Sequence, residues 1–536
     1  MFFNKYKYSF VLLGYLSISE CVFGASLDIT VVNEAGAVVN NGDLINKSLQ
    51  EQVGSGTGSA YVPDSSGYII ARDPARAIRR GRQLFQRKFS EADGLGPRVN
   101  YHSSGDITTQ RRLGAGLSDS CASCHGLPRG SAGFGGHVST FPDGRDAPHL
   151  FGLGIVEQLA DEITTELRRL RNSALSEASK YGFNIRRDLW AKGVYYGYIT
   201  ATPFGDVDTS QLLGIDTDLR VKPFFAQGKT ISIREFINGA LKDEMGLETW
   251  DPVLCRAADS VDPKIVRSVT GFIFDPRQDS FERPVNCDRW ADNDGDGVVS
   301  ELDPALVDYL EFYLLNYFKP AQGKKTDLTE AGVGIMNSIG CTTCHVRSME
   351  IKNDRRVADV DTKYDEQRGI FNDLYATAST RFFAKDDGNG GHVLAPKRES
   401  FWVENIFTDF KRHDLGPAFH ERDYDGSTNT MFVTEPLWGV GSTAPYGHDG
   451  RSIDLDQVIR RHGGEAQWSR DLYVALSDFD RLKVQEFLRS LVLFPPDDTA
   501  SNLNPGDPNG TDLQSPAVHG NIALPVLYQI PEYGAE

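Results

Sequence analysis

The sequence predicts a mainly α protein built of two tandem cytochrome c-type haem domains with loop-rich insertions. Three observations predict it. The pentapeptide Cys-x-x-Cys-His occurs twice, as Cys121-Ala122-Ser123-Cys124-His125 and as Cys341-Thr342-Thr343-Cys344-His345. A helical stretch stands before each motif and another closes each half, an internal repeat of element order. The length of 536 residues leaves room for two such units and their insertions. The spacing carries the chemistry. Two intervening residues let both thiols reach one porphyrin edge as thioethers, and the next residue turns its imidazole under the iron as the proximal ligand. Buried thiols or a zinc pair are the bland alternatives. Two copies of the full pattern in a chain with 7 Cys and 11 His weigh against them.

Residues 1–25 read as a secretory signal peptide. Lys5 and Lys7 give a basic start, Phe10 to Ile18 a short apolar core, and Val22-Phe23-Gly24-Ala25 the small residues of a cleavage site. The expected location is periplasmic. Cys21 has a poor lead-in for lipidation, and no later apolar run reaches the ~18 residues of a membrane anchor. Residues 26–72 alternate apolar and polar side chains between Gly, Asn and Ser clusters, as a small strand-rich segment would. The first haem domain is placed at 73–322. It opens with an amphipathic helix at Ala75–Phe89, has a long helix at Val156–Tyr181, and closes with an apolar helix at Ala305–Phe318. The second is placed at 323–496, from the helix Leu328–Ile339 to the helix Asp480–Leu493, with a loop-rich insertion at 350–430 between them. Residues 497–536, rich in Pro, Gly and Asn, read as an extended tail.

A formal net charge of −18 argues against nucleic acid as a partner. It suits either simple solubility or attraction of a basic redox protein. Removing the signal leaves six cysteines, four of them in the haem motifs. Cys255 and Cys287 then form an even pair for a disulfide in an oxidising compartment.

Several blocks, taken in order, resemble one family. They are Gly96-Pro97-Arg98-Val99-Asn100, the first motif with Pro128-Arg129-Gly130, and Pro148-His149-Leu150-Phe151-Gly152. Next come Ser232-Ile233-Arg234-Glu235, Asp243-Glu244-Met245-Gly246 and His413-Asp414-Leu415-Gly416-Pro417. The last are Thr434-Glu435-Pro436-Leu437-Trp438-Gly439, His448-Asp449-Gly450-Arg451 and His462-Gly463-Gly464-Glu465-Ala466. Together they resemble the di-haem oxidoreductase (putative peroxidase) family, related to bacterial di-haem cytochrome c peroxidases and to the enzyme that matures methylamine dehydrogenase. The resemblance implies an α-rich fold carrying two covalent haems c in series.

What stands opposite each proximal histidine decides the chemistry. An iron with two protein ligands passes electrons, whereas one with an open or displaceable position can bind peroxide. His137, in a loop twelve residues after His125, resembles a displaceable distal histidine, with His149 as a second choice. For the second haem, the block Ala444-Pro445-Tyr446-Gly447-His448 has glycine where many members of the resembling group place methionine. Tyr446, His448 or His413 is then the candidate, or the site is open. Met431 is the best-placed methionine. Glu235 is the candidate acid–base group, although the resembling segment usually carries an amide there, and Arg145 would stabilise an oxyanion or a propionate. Residues Asp292, Asp294, Asp296, Val298 and Asp303 fall at positions 1, 3, 5, 7 and 12 of a calcium-type loop, whose last position more often holds Glu. The leading expectation is a peroxidase-like enzyme that takes electrons from a small redox protein or cytochrome and reduces hydrogen peroxide, with Trp402 or Trp438 bridging the haems. A non-enzymatic electron carrier and an oxidase that modifies a partner protein remain as alternatives.

Overall fold

The computed structural model describes residues 31–32, 38–39, 48–95, 118–127, 131–135, 146–259, 261–284, 287–292, 298–364, 367, 374–422 and 426–493. The helices of that portion, in chain order, are α1 (Leu49–Val53), α2 (Ser66–Arg72), α3 (Pro74–Gln86), α4 (Cys121–His125), α5 (Leu153–Tyr181), α6 (Ile233–Ala240), α7 (Pro252–Ala258), α8 (Pro304–Leu315), α9 (Asp327–Ser338), α10 (Leu455–Arg461), α11 (Gln467–Ala475) and α12 (Asp478–Arg489). The signal-like stretch 1–25 and the tail 497–536 lie outside the described residues.

Two helix pairs frame the molecule: α3 packs on α8, and α9 packs on α12. The reason is written in the sequence of each helix. Asp73 caps α3 by accepting a hydrogen bond from Arg76 N, and Pro74 occupies the first turn, where no N–H is needed. All twelve residues of α8 are buried, as a helix apolar on every face must be. In both pairs a glycine sets the approach. A Cβ at Gly81 of α3 would run into the backbone of Tyr309 on α8, and one at Gly332 of α9 into the backbone of Lys483 on α12.

The expected mainly α class is overturned. Of the described residues 36% are helical and 18% lie in strands, so the fold is mixed α/β. The strands form nine small antiparallel sheets among the described residues. After α5, the strands Ile185–Ala191, Val194–Ala201 and Val207–Leu212 make a three-stranded sheet. Its first turn is Lys192-Gly193, both at positive φ, the geometry that closes a two-residue hairpin. The insertion at 350–430 is not merely loop-rich. It folds as the hairpins Ala358–Tyr364 with Leu374–Thr380 and Phe382–Asp386 with His392–Pro396, flanked by Met349–Ile351 paired to Phe401–Val403. In the segment expected to be strand-rich, 26–72, Val31–Val32 pairs with Val38–Val39, and α1 and α2 follow.

One large apolar core joins α3, α5, α6 and α8 to Ile351, Phe410, Trp438 and Leu493. A second surrounds Met336, Phe407, Leu455, Tyr473 and Phe487. Arg234 of α6, fully buried, ties the first core together through Asp251, Asp308 and Glu311 at 2.7, 2.7 and 2.9 Å. A charge so deeply buried is tolerable only when opposite charges surround it. Cys255 and Cys287 are joined as a disulfide. No helix among the described residues is long and apolar enough to cross a membrane.

Candidate haem-binding site

A single cavity of about 1710 Å³ is lined by all four cysteines and both histidines of the two motifs. Pockets for one small ligand run to roughly 300–1,000 Å³, so the space fits two large planar groups better than one. The first motif is itself the short helix α4, started by Ser120, whose hydroxyl accepts from Ser123 N at 3.2 Å. One helical turn places Cys121 and Cys124, three apart, on the same face. The second follows α9 through Gly340 at φ +83° and makes a 3₁₀ turn over Cys341–Thr343. None of the four cysteines forms a disulfide. Burial pushes the Cys121 thiol up to about 12 and the Cys341 thiol up to about 11.

Both motif histidines are oriented by the same contact. His125 Nδ1 lies 2.7 Å from Pro148 O, and His345 Nδ1 lies 3.0 Å from Phe407 O. A carbonyl only accepts, so Nδ1 carries the proton and donates, leaving the Nε2 lone pair for a metal. Burial pushes both imidazoles below their ordinary value, favouring the neutral form that binds iron. Thiol pair, oriented imidazole and cavity therefore fit a covalently held haem at each motif.

The two halves meet at the cavity. Asp146 N donates to His448 O at 3.0 Å, and His149 Nε2 donates to Trp438 O at 3.0 Å. Trp438 is buried and its ring lies over Gly152, where a Cβ would touch it. Trp402, the other expected bridge, is 61% exposed and does not line the cavity.

The remaining candidates divide by where the fold places them. His137, Arg145, Asp294 and Asp296 lie outside the described residues. Asp292 and Val298 flank that gap, and Asp303 caps α8 by accepting from Ala305 N at 2.8 Å. Glu235 is buried away from the cavity. Its carboxylate accepts from Ile231 N, Ser232 Oγ and Glu282 N at 2.9–3.1 Å, which fixes the start of α6. Burial raises its carboxyl to about 7 against those bonds. His413, Tyr446 and His448 do line the cavity. Both ring nitrogens of His413 are taken, Nδ1 by Glu465 at 2.7 Å and Nε2 by Asp409 at 3.0 Å. His448 stacks on Phe432 with ring centroids 4.1 Å apart, its Nε2 3.0 Å from Glu421 Oε1. Met431 is exposed and off the cavity, whereas the buried Met245 lines it.

Two cavity residues escape a sequence reading. Glu435 lines the cavity and is exposed to it, with protein packed closely around the rest of the residue. Burial raises its carboxyl to about 7, with His448 pulling the other way. His462 lines the cavity at the end of α10. A signal existed for the second: Leu455, Val458, Ile459 and His462 share one helical face. For Glu435 no local pattern exists.

Residues 355–491 match the family model described as "Di-haem oxidoreductase, putative peroxidase". The match bears out the family read from the sequence. No curated protein matches the chain.

Proposed function

We propose that this member of the di-haem oxidoreductases is a periplasmic c-type enzyme of peroxidase type, taking electrons in at one haem and reducing hydrogen peroxide at the other. One observation carries the reading: both Cys-x-x-Cys-His motifs open on a single 1710 Å³ cavity, each with its histidine Nδ1 tied to a backbone carbonyl. Cys121, Cys124 and His125 would hold one haem, and Cys341, Cys344 and His345 the other. Such a group, when bound, supplies electron exchange and, where its sixth position opens, activation of peroxide.

The chain supplies the rest. Glu435 faces the cavity with a carboxyl near 7, so both protonation states are populated at neutral pH. That is the property an acid–base group needs to take a proton from one peroxide oxygen and return it to the other. Phe224, Phe225, Phe236 and Met245 give part of the cavity an apolar wall that holds water away. Trp438 places an aromatic ring where the two halves join. The charge of −18 suits a small basic redox protein as donor.

Optical and EPR spectra of the purified holoprotein, oxidised and half-reduced, test the reading. A high-spin haem in either state that changes rapidly with stoichiometric hydrogen peroxide is the expected result. Two low-spin haems in both states, inert to peroxide, would sink it and leave an electron carrier.

A further inference from the structure

His462 repeats the geometry of the two motif histidines. Its Nδ1 lies 2.7 Å from Val458 O, one turn back along α10. The carbonyl accepts, so Nδ1 donates and Nε2 is left with its lone pair. The ring lines the cavity and stands edge-on to Phe419 at 5.4 Å. Its position is set by a whole face of α10, because Leu455, Val458 and Ile459 line the same cavity. Leu455 and Ile459 also pack in the core that holds Cys341, so this face belongs to the second motif.

Met336, on the helix that leads into Cys341, is buried in the second core and also lines the cavity. His413 has both nitrogens on carboxylates. His448 lies flat on Phe432 and faces Glu421. Gly447 offers no side chain, and the space a side chain would take is filled. A Cβ there would meet Asp449 Oδ1 at 2.9 Å and Arg461 Nη1 at 3.0 Å, with Phe419 at 3.5 Å. Arg461 precedes His462 and Phe419 contacts its ring, so the groups closing the position at 447 also brace His462. Tyr446 lines the cavity as well, and comparing Tyr446→Phe with the His462 variants separates the two.

We propose that His462 Nε2 is the sixth ligand of the haem held by Cys341, Cys344 and His345, making that centre bis-histidine. The inference rests on the di-haem reading. It makes the second haem the low-spin, electron-transferring one, at a lower potential than a histidine–methionine centre would have. Reactivity with peroxide then belongs to the haem of Cys121 and Cys124.

The test uses the holoprotein, with covalent haem counted by intact mass before any spectrum. Fewer than two haems would overturn the di-haem reading itself, and this inference with it. With two haems present, EPR and redox titration of wild type, His462→Ala, His462→Met and Tyr446→Phe are compared. The expected result is loss of one bis-histidine low-spin signal in His462→Ala. His462→Met should instead gain the red charge-transfer band of a thioether–iron bond and a higher midpoint potential, while Tyr446→Phe keeps the wild-type spectrum. Retention of every low-spin signal in His462→Ala, or a change of ligation in Tyr446→Phe alone, would overturn the assignment.

Discussion

At the scale of single residues, the chemistry divides into what a local motif dictates and what only folding brings together. The candidate haem-attachment motifs stand out in the sequence because thioether formation and proximal ligation would need only five consecutive residues. Glu435 is not legible, because its value comes from its surroundings: a wall of protein behind it, His448 beside it and the cavity in front. Glu235 fails for the same reason in reverse. Its own segment invites a catalytic reading, but folding spends one carboxylate oxygen on the start of α6 and the other on Glu282 N. Glu435→Gln is therefore expected to slow peroxide turnover about 100-fold or more while leaving the haem spectra of the resting protein intact. The pH dependence has a definite sign. The folded-state carboxyl, raised from 4.5 to about 7, binds its proton more tightly than the unfolded chain does. Its contribution to stability is present below about pH 4.5 and is lost as pH rises through about 7. Denaturant titrations across that window should be flatter for Glu435→Gln than for wild type. An unchanged slope with unchanged turnover would remove the residue from the mechanism.

At the scale of elements, the long helices are visible in advance and the strands are not. The expected helices at 156–181, 305–318 and 328–339 appear as α5, α8 and α9 with ends shifted by a few residues, because their apolar periodicity runs over several turns. The strands fail because each is short and its partner is chosen by a turn. Asp386 to Gly391 closes the hairpin Phe382–Asp386 with His392–Pro396, and its Asp, Gly and Asn residues are hairpin chemistry as much as loop chemistry. What periodicity cannot show is how closely two helices approach. Gly81 and Gly332 each let one helix rest on the backbone of another. Alanine at either position forces the pair apart, at a cost of about 1–3 kcal/mol. Thermal unfolding of Gly81→Ala and Gly332→Ala should move down by roughly 2–4 °C per kcal/mol in units of this size. No shift in either would mean that the helices pack less tightly than their backbones indicate.

At the scale of the whole molecule, the two halves share one interior. The sequence repeat names two similar units but says nothing of how they face each other. That information lies in contacts across hundreds of residues, such as His149 with Trp438 and Asp146 with His448. The shared interior has an energetic meaning. Its lining is largely apolar, and without the groups it would enclose that surface is left facing water. The chain made without haem attachment should accordingly lose protection in both halves. Limited proteolysis followed by mass spectrometry checks this, and cleavage confined to one half would contradict it.

The common wall also bears on how a cell would recognise a finished molecule. Because each half contributes side chains to the same chamber, a chain carrying one haem is incomplete on both sides of the seam. If the chain takes up both haems as proposed, loading would work as a checkpoint: a half-made product would stay open to proteases, and only the doubly loaded chain would close.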